Sequence, residues 1–452
     1  MPNLDAATPR LALRGDLLDF TDAPALHSTA LHGVRWRADH WLLIEGGRIR
    51  GVQPGALIPD ASWTREDHRG RLILPGFIDT HVHSAQLDVI ASFGTELLDW
   101  LNTYTFPAER AWADPVLAQA GSQRFLDALL AHGTTSAVVF PTVHKASVDA
   151  LFAAGAERGM RLIAGKVLMD RHAPDGLRDD VEVAESECRE LIARWHGQGR
   201  NSYAVTVRFA PTSTPAQLAM AGSLCAENPT LYMQTHVAEN RAEVAWVAEL
   251  FPRARSYLDV YANAGLLHRR SVLAHGIWLD DADRARLHAS GAQIAFCPSS
   301  NLFLGSGLFD WQRQADAGVN VSLASDVGGG TSLSMLRTLA DAYRVQALAG
   351  RKLGAWAMLH AATRGAALGL DLEDEIGSFD PGRSADVCVW DWAVGEVAQR
   401  RIEVARDLHE RVFAWLMLGD ERCLVAAYVA GVRARASRTT GDKNADRSIT
   451  AP

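Results

Sequence analysis

Short apolar runs separated by amphipathic stretches recur through the middle of this 452-residue chain, and that alternation constrains its fold more than any other feature. Eight such runs stand out, at residues 72–78, 136–140, 161–168, 204–209, 231–235, 271–274, 293–296 and 320–324. Each has the length of a strand buried on both faces, as strands of a parallel sheet are. Stretches between them, such as 115–131, 181–195 and 282–289, space their apolar residues as helices do, and Pro and Gly punctuate the joins, as at Ala131-His132-Gly133. The expectation is an α/β chain closed into a (β/α)₈ TIM-type barrel. A doubly wound sheet would want a Gly-rich phosphate loop after an early strand, and the sequence has none.

Outside the barrel region the pattern changes. Short β-type runs at 10–16 and 41–52, the latter broken by Gly46-Gly47, carry no helix between them, and similar runs return at 385–391 and 424–429. Neither end alone makes a good sheet packing. Residues 1–72 and 376–436 are therefore expected to meet as one small β-sandwich beside a barrel of 73–375, with the polar residues 437–452 as a disordered tail.

Composition narrows the partners. A net charge of −8 offers no basic footprint for nucleic acid or an anionic membrane, and no apolar stretch approaches the roughly 20 residues of a membrane span. The opening residues lack the pattern of a secretory signal, and five dispersed cysteines read as reduced thiols. A cytoplasmic protein acting on a small molecule is expected.

The chemistry sits at the strand ends. Pro75-Gly76-Phe77-Ile78-Asp79-Thr80-His81-Val82-His83 runs an apolar strand into two histidines at i, i+2, which in extended chain share a face. By itself such a pair also arises by chance on surfaces. Here, however, His236 closes the run 231–235, His275 closes 271–274, and Asp326 follows 320–324. Every one lies at the C-terminal end of an expected strand, the rim on which barrel sites form. Imidazoles with one carboxylate and a position left for water suit Zn²⁺ best, with Fe²⁺ the second candidate, and a catalytic zinc brings a water's pKa to about 7.

Around that cluster lie residues with two readings each. Glu239, three past His236, is either a proton carrier or a first-turn acid complementing a helix dipole. Arg208 ends the run 204–209 with Phe209 beside it; the guanidinium either binds a carbonyl or carboxylate of a ligand, with Phe209 against a flat ring, or makes an ordinary rim salt bridge. Gln86 offers donors and an acceptor near the histidine pair, or is a solvated bystander. Cys297 reads as a buried thiol, Gly328-Gly329-Gly330 as a flexible turn, and Lys166 as a strand lysine that in principle can be carbamylated to bridge two metals.

Taken together, the His81/His83 motif, His236, His275, Asp326 and the stretch Gly377-Ser378-Phe379-Asp380-Pro381-Gly382-Arg383-Ser384-Ala385-Asp386 resemble the amidohydrolase superfamily from about residue 40 to 435. Within it the chain looks like the guanine deaminase family. The segments that carry this likeness are Glu96-Leu97-Leu98-Asp99-Trp100-Leu101-Asn102-Thr103-Tyr104-Thr105-Phe106-Pro107-Ala108-Glu109, Gly165-Lys166-Val167-Leu168-Met169-Asp170, Arg208-Phe209 and Gln86. The resemblance implies one zinc held by His81, His83, His236 and Asp326, with His275 and Asp326 orienting and deprotonating a water. It implies Glu239 as the proton shuttle, Gln86 and Arg208 on the oxo edge of a purine with Phe209 on its face and His236 nearby, and a homodimer. The mononuclear pattern also weakens the carbamate idea for Lys166. The alternatives it leaves are a deaminase of a related ring (8-oxoguanine, triazine, cytosine or adenosine type) and a non-catalytic scaffold of the same fold. The unrelated zinc deaminases of the H-x-E…P-C-x-x-C type are set aside, because the chain has no P-C-x-x-C.

Overall fold

Parallel pairing runs in chain order through Phe77–His83, Thr134–Phe140, Arg161–Ala164, Asn201–Val207, Tyr232–Val237, Ser271–His275, Gln293–Phe296 and Asn320–Leu323. These elements come from a computed structural model that describes residues 9–93 and 97–434, so Glu96 and the expected tail at 437–452 lie outside the described residues. The ring closes through the chain just past the last strand. There the Asp326 N–H donates to the His81 carbonyl at 2.9 Å and the His83 N–H to the Val327 carbonyl at 2.8 Å. The closing bonds of the barrel are thus made by candidate site residues.

Inside the ring, alternate strand positions supply a buried cluster of Ile78, Val138, Ile163, Ala204, Tyr232, Val272 and Ala295. The helix Arg364–Gly369 adds Ala366 and Ala367 to that cluster, and Tyr232 at the start of its strand donates its hydroxyl to the Leu370 carbonyl at 2.6 Å. The N-terminal end of the barrel is therefore plugged, and the polar side chains collect at the opposite end.

Helices form where local signals agree. Pro115–Ala131 starts with Asp114 accepting from the Val116 N–H at 2.8 Å and proline in its first turn, and Val181–Trp195 starts with Asp180 accepting from Val183 at 3.1 Å. No described helix is long and apolar enough to cross a membrane.

The two ends of the chain meet in one seven-stranded sheet, in the order Val432–Arg433, Leu424–Val429, Val387–Trp390, Thr64–Pro75, Arg10–Phe20, Val34–Glu45 and Arg48–Pro54. Arg10–Phe20 and Thr64–Pro75 pair in parallel and the other neighbours antiparallel, around Leu13, Leu17, Leu42, Ile44, Ile73, Val387 and Tyr428.

Two expected strands are corrected. The run 72–78 is not one strand: Thr64–Pro75 belongs to the small sheet and Phe77–His83 to the barrel, with Gly76 at the corner, where a Cβ would meet Thr135 Oγ1 at 2.2 Å. The run 161–168 breaks into Arg161–Ala164 and Val167–Leu168 because Gly165 lies against the Ala204 carbonyl, which a Cβ would approach to 1.8 Å. Lys166 is consequently between strands, not within one.

Candidate active site

Four ligand-type atoms meet at the open end of the barrel. His81 Nε2 lies 3.1 Å from His236 Nε2 and 3.2 Å from His83 Nε2, and Asp326 Oδ1 lies 3.2 Å from His81 Nε2 and 3.3 Å from His83 Nε2. Ligands about 2.0–2.1 Å from a tetrahedral ion stand about 3.3 Å apart along each edge, so the cluster has the dimensions of a closed-up zinc site. Its chemistry fits as well. Burial holds the His81 imidazole down to about 4 and His236 well below its ordinary value, which leaves neutral rings with lone pairs to offer. Burial opposes the charge on Asp326, but the adjoining His81 and His83 imidazoles outweigh it and keep its carboxyl well below the usual carboxylate range. His236 Nδ1 donates to the Arg208 carbonyl at 2.6 Å, which fixes the tautomer and aims Nε2 inward. These residues can hold a divalent metal ion.

Beside the quartet, His275 donates from Nδ1 to Asn301 Oδ1 at 2.9 Å, leaving Nε2 buried without a hydrogen-bond partner, 3.6 Å from Glu239 Oε2 and 3.8 Å from Asp326 Oδ2. Burial lowers the affinity of His275 for a proton, yet Glu239 and Asp326 outweigh it and raise its pKa. Glu239 is pushed up by burial. The backbone here is held in a sparsely used conformation: His275 has φ +71°, Asp326 +49° and Ala238, just before Glu239, +48°. Non-glycine residues at positive φ persist only where surrounding bonds hold them.

Glu239 is not a first-turn helical acid. The helix is Arg241–Leu250, capped by Asn240, and Glu243 takes the first-turn role in a reciprocal capping box. Glu239 precedes the cap and turns into the cavity, with Ser306 Oγ donating to its Oε1 at 2.8 Å. Glu243 Oε2 in turn accepts from the Glu239 N–H at 2.8 Å, and Tyr257 donates its hydroxyl to Glu243 Oε1 at 2.6 Å.

The same cavity carries Arg208 and Gln86. Neither is a surface residue: Arg208 is 3% exposed and Gln86 2%. Both bond to Glu109, with Arg208 Nη1 donating to Oε2 at 2.6 Å and Gln86 Nε2 to Oε1 at 2.8 Å. Phe209 is buried beside them, its ring 6.2 Å from that of Trp246. One cavity is lined by His83, Gln86, Arg208, Phe209, His236, Glu239, His275 and Asp326, with His81 buried behind them.

Sequence reasoning assigned no part to Glu109, Asn301, Ser306, Glu243 or Asp79. Asp79, buried in the first barrel strand, accepts from the His81 and Ser325 N–H groups at 3.3 and 3.0 Å and so ties two ligand-bearing segments together. The other residues weighed earlier have structural partners. Lys166 Nζ pairs with Asp179 at 2.6 Å and donates to the Val143 carbonyl, so its ammonium is committed to these structural partners. Burial pushes the Cys297 thiol well above its usual range. Gly328-Gly329-Gly330 is buried and packed, with the Gly328 N–H donating to Gln86 Oε1 at 3.0 Å, in place of a loose turn.

Barrel, small sheet and strand-end cluster together define a hydrolase of one family. The amidohydrolase family matches residues 72–418, and the chain belongs to it. Over 427 residues the chain is 44% identical to the guanine deaminase of Escherichia coli (strain K12), spanning 93% of this chain and 96% of that one. The solved structure of E. coli guanine deaminase superposes with a TM-score of 0.90 over 94% of this chain and 99% of that one. The crystal structure of guanine deaminase from C. acetobutylicum with guanine bound in its active site superposes with a TM-score of 0.83 at 27% identity, with the same coverage.

Proposed function

We propose that this protein hydrolyses guanine to xanthine and ammonia. One buried cavity joins a quartet able to bind a metal to a guanidinium–carboxamide edge able to grip a planar oxo ring, and that conjunction carries the reading. The likeness to the E. coli guanine deaminase over nearly the whole chain supports it. We further propose one zinc per chain at His81, His83, His236 and Asp326, with Fe²⁺ as the alternative metal, and a cytoplasmic homodimer serving purine catabolism. In this reading the barrel of 73–375 carries the chemistry, and 1–72 with 376–436 form the supporting small domain.

A divalent ion held by the quartet supplies Lewis acidity and makes a water acidic enough to attack near neutral pH. The remaining work falls to side chains. Arg208 and Gln86 hold the oxo edge and Phe209 covers the ring face, which fixes the ring carbon bearing the amine against the quartet. His275 and Asp326 take a proton from the water as its oxygen bonds to that carbon. Glu239 delivers its carboxyl proton to the neighbouring ring nitrogen, takes up the hydroxyl proton of the adduct and passes it to the amine. The carbon–nitrogen bond breaks as the hydroxyl oxygen becomes the carbonyl of xanthine, ammonia leaves, and the proton held by His275 and Asp326 returns to Glu239.

Ammonia release measured across guanine, 8-oxoguanine, adenosine, cytosine and a triazine, with and without a chelator, tests the reading. Guanine is expected to be the preferred substrate and the chelator to abolish its turnover. Release from another ring with none from guanine would end the substrate assignment. A second expectation follows from the Arg208–Glu109 pair. Arg208→Ala removes a charged donor and leaves Glu109 buried without its cation, so guanine kcat/KM should fall at least about 10²-fold. Metal content should be unchanged, because the Arg208 contact to His236 uses the backbone carbonyl. Near-normal guanine kinetics in this variant would remove Arg208 from the ring site.

A further inference from the structure

We infer that Glu109 is a positioning and specificity residue: it sets the geometry and the net charge of the ring-binding edge, so that the site takes a neutral oxo-bearing ring and discriminates against an anionic one. The inference rests on the guanine reading above and adds to it a residue and a selection rule. Glu109 is 0% exposed, and each of its oxygens is committed to a different candidate ring-holding residue, Gln86 at 2.8 Å and Arg208 at 2.6 Å. A buried guanidinium without a counter-ion is costly, and here the carboxylate cancels it. The edge therefore presents N–H donors without presenting a net charge.

Orientation follows from the same carboxylate. Gln86 Oε1 accepts the Gly328 N–H at 3.0 Å while its Nε2 faces Glu109. Turning the amide over would set N–H against N–H and oxygen against carboxylate, so only one placement is compatible with both neighbours. Gln86 then has its second N–H and second lone pair for a ring. On the same short helix, Phe106–Ala111, the Phe106 ring lies 5.2 Å from Arg208 Cζ, so a π-face and a carboxylate three residues apart hold one planar group. An anionic ring would gain little from a guanidinium already paired and would meet the carboxylate behind it.

The test is Glu109→Gln in the full-length, zinc-loaded protein, with binding read by calorimetry for two oxopurines at pH 7, hypoxanthine as the neutral ring and urate as the monoanion. Relative to the parent, hypoxanthine is expected to weaken about tenfold and urate to tighten by a similar factor, the scale of a hydrogen bond to a charged group. Guanine KM should rise more than kcat falls. Glu109→Asp, which keeps the charge and shortens the reach, should restore the preference for the neutral ring while leaving guanine KM raised. A urate-to-hypoxanthine ratio that stays within about twofold of the parent in Glu109→Gln overturns the charge-setting role, as does inversion of that ratio in Glu109→Asp. If Glu109→Gln does not fold or hold zinc, the Glu109→Asp ratio decides. Failure of the parent protein to release ammonia from guanine would instead reject the function reading, and the calorimetric ratio remains readable in that event.

Discussion

Replacing Glu239 with Gln is expected to slow guanine turnover by about 10²–10⁴-fold, the usual contribution of a positioned proton carrier, with the metal retained. The substitution is nearly isosteric, and the amide oxygen can still accept the hydrogen bond that Ser306 Oγ makes to Oε1 at 2.8 Å. No metal ligand is touched: Oε2 faces His275 Nε2 at 3.6 Å, and His275 stands beside the quartet, not within it. What the amide cannot do is take a proton and return it. The loss should therefore fall on kcat, with KM and zinc content near their parent values. Steady-state ammonia release with metal analysis on the same preparation separates the outcomes. Unchanged kcat would show that Glu239 carries no proton, whatever its place in the cavity.

That prediction depends on a detail the sequence holds but strand and helix periodicity do not reveal. Asn240 and Glu243 stand at the spacing of a capping box, and a helix started from that box begins at Arg241 and leaves Glu239 outside it. Without the box, Glu239 reads equally well as a first-turn acid. Helices such as Pro115–Ala131 and Val181–Trp195 are legible to the residue, because cap, proline or periodicity coincide at their ends. The corner at Gly76 is not legible in the same way. Leu72-Ile73-Leu74-Pro75-Gly76-Phe77-Ile78 is apolar throughout, and one apolar run cannot say that its halves serve different sheets. Lys166 fails for a similar reason, since the break beside it comes from a carbonyl of the neighbouring strand.

The site divides along the same line. His81, His83, His236, His275 and Asp326 are legible because each sits at a strand end, and strand order in a parallel barrel turns that local fact into convergence. Their supports are not. Glu109 meets Arg208 across 99 residues and Asp79 meets Ser325 across 246, and no local pattern encodes such pairings. The short helix Phe106–Ala111 brings Glu109 to the Arg208 guanidinium only once the barrel has closed around both.

His236→Ala is expected to strip the metal and with it the activity. His236 Nε2 stands 3.1 Å from His81 Nε2 and is one of four ligand-type atoms, so its removal opens the quartet. The loss of metal affinity should exceed the roughly 10–100-fold that follows from removing only an outer hydrogen-bond partner of a ligand. The fold itself should survive: the Arg208 carbonyl that accepts from His236 Nδ1 also accepts from the His236 backbone N–H at 3.2 Å, so no buried acceptor is orphaned. Linkage supplies a readout independent of turnover. A metal that binds only the folded state raises Tm, so chelation should lower the Tm of the parent protein and leave that of His236→Ala nearly unmoved, the two converging when both are stripped. Stoichiometric zinc in the dialysed variant, or a Tm that still falls on chelation, would remove His236 from the metal site and leave the cluster of His81, His83 and Asp326 in need of another fourth ligand.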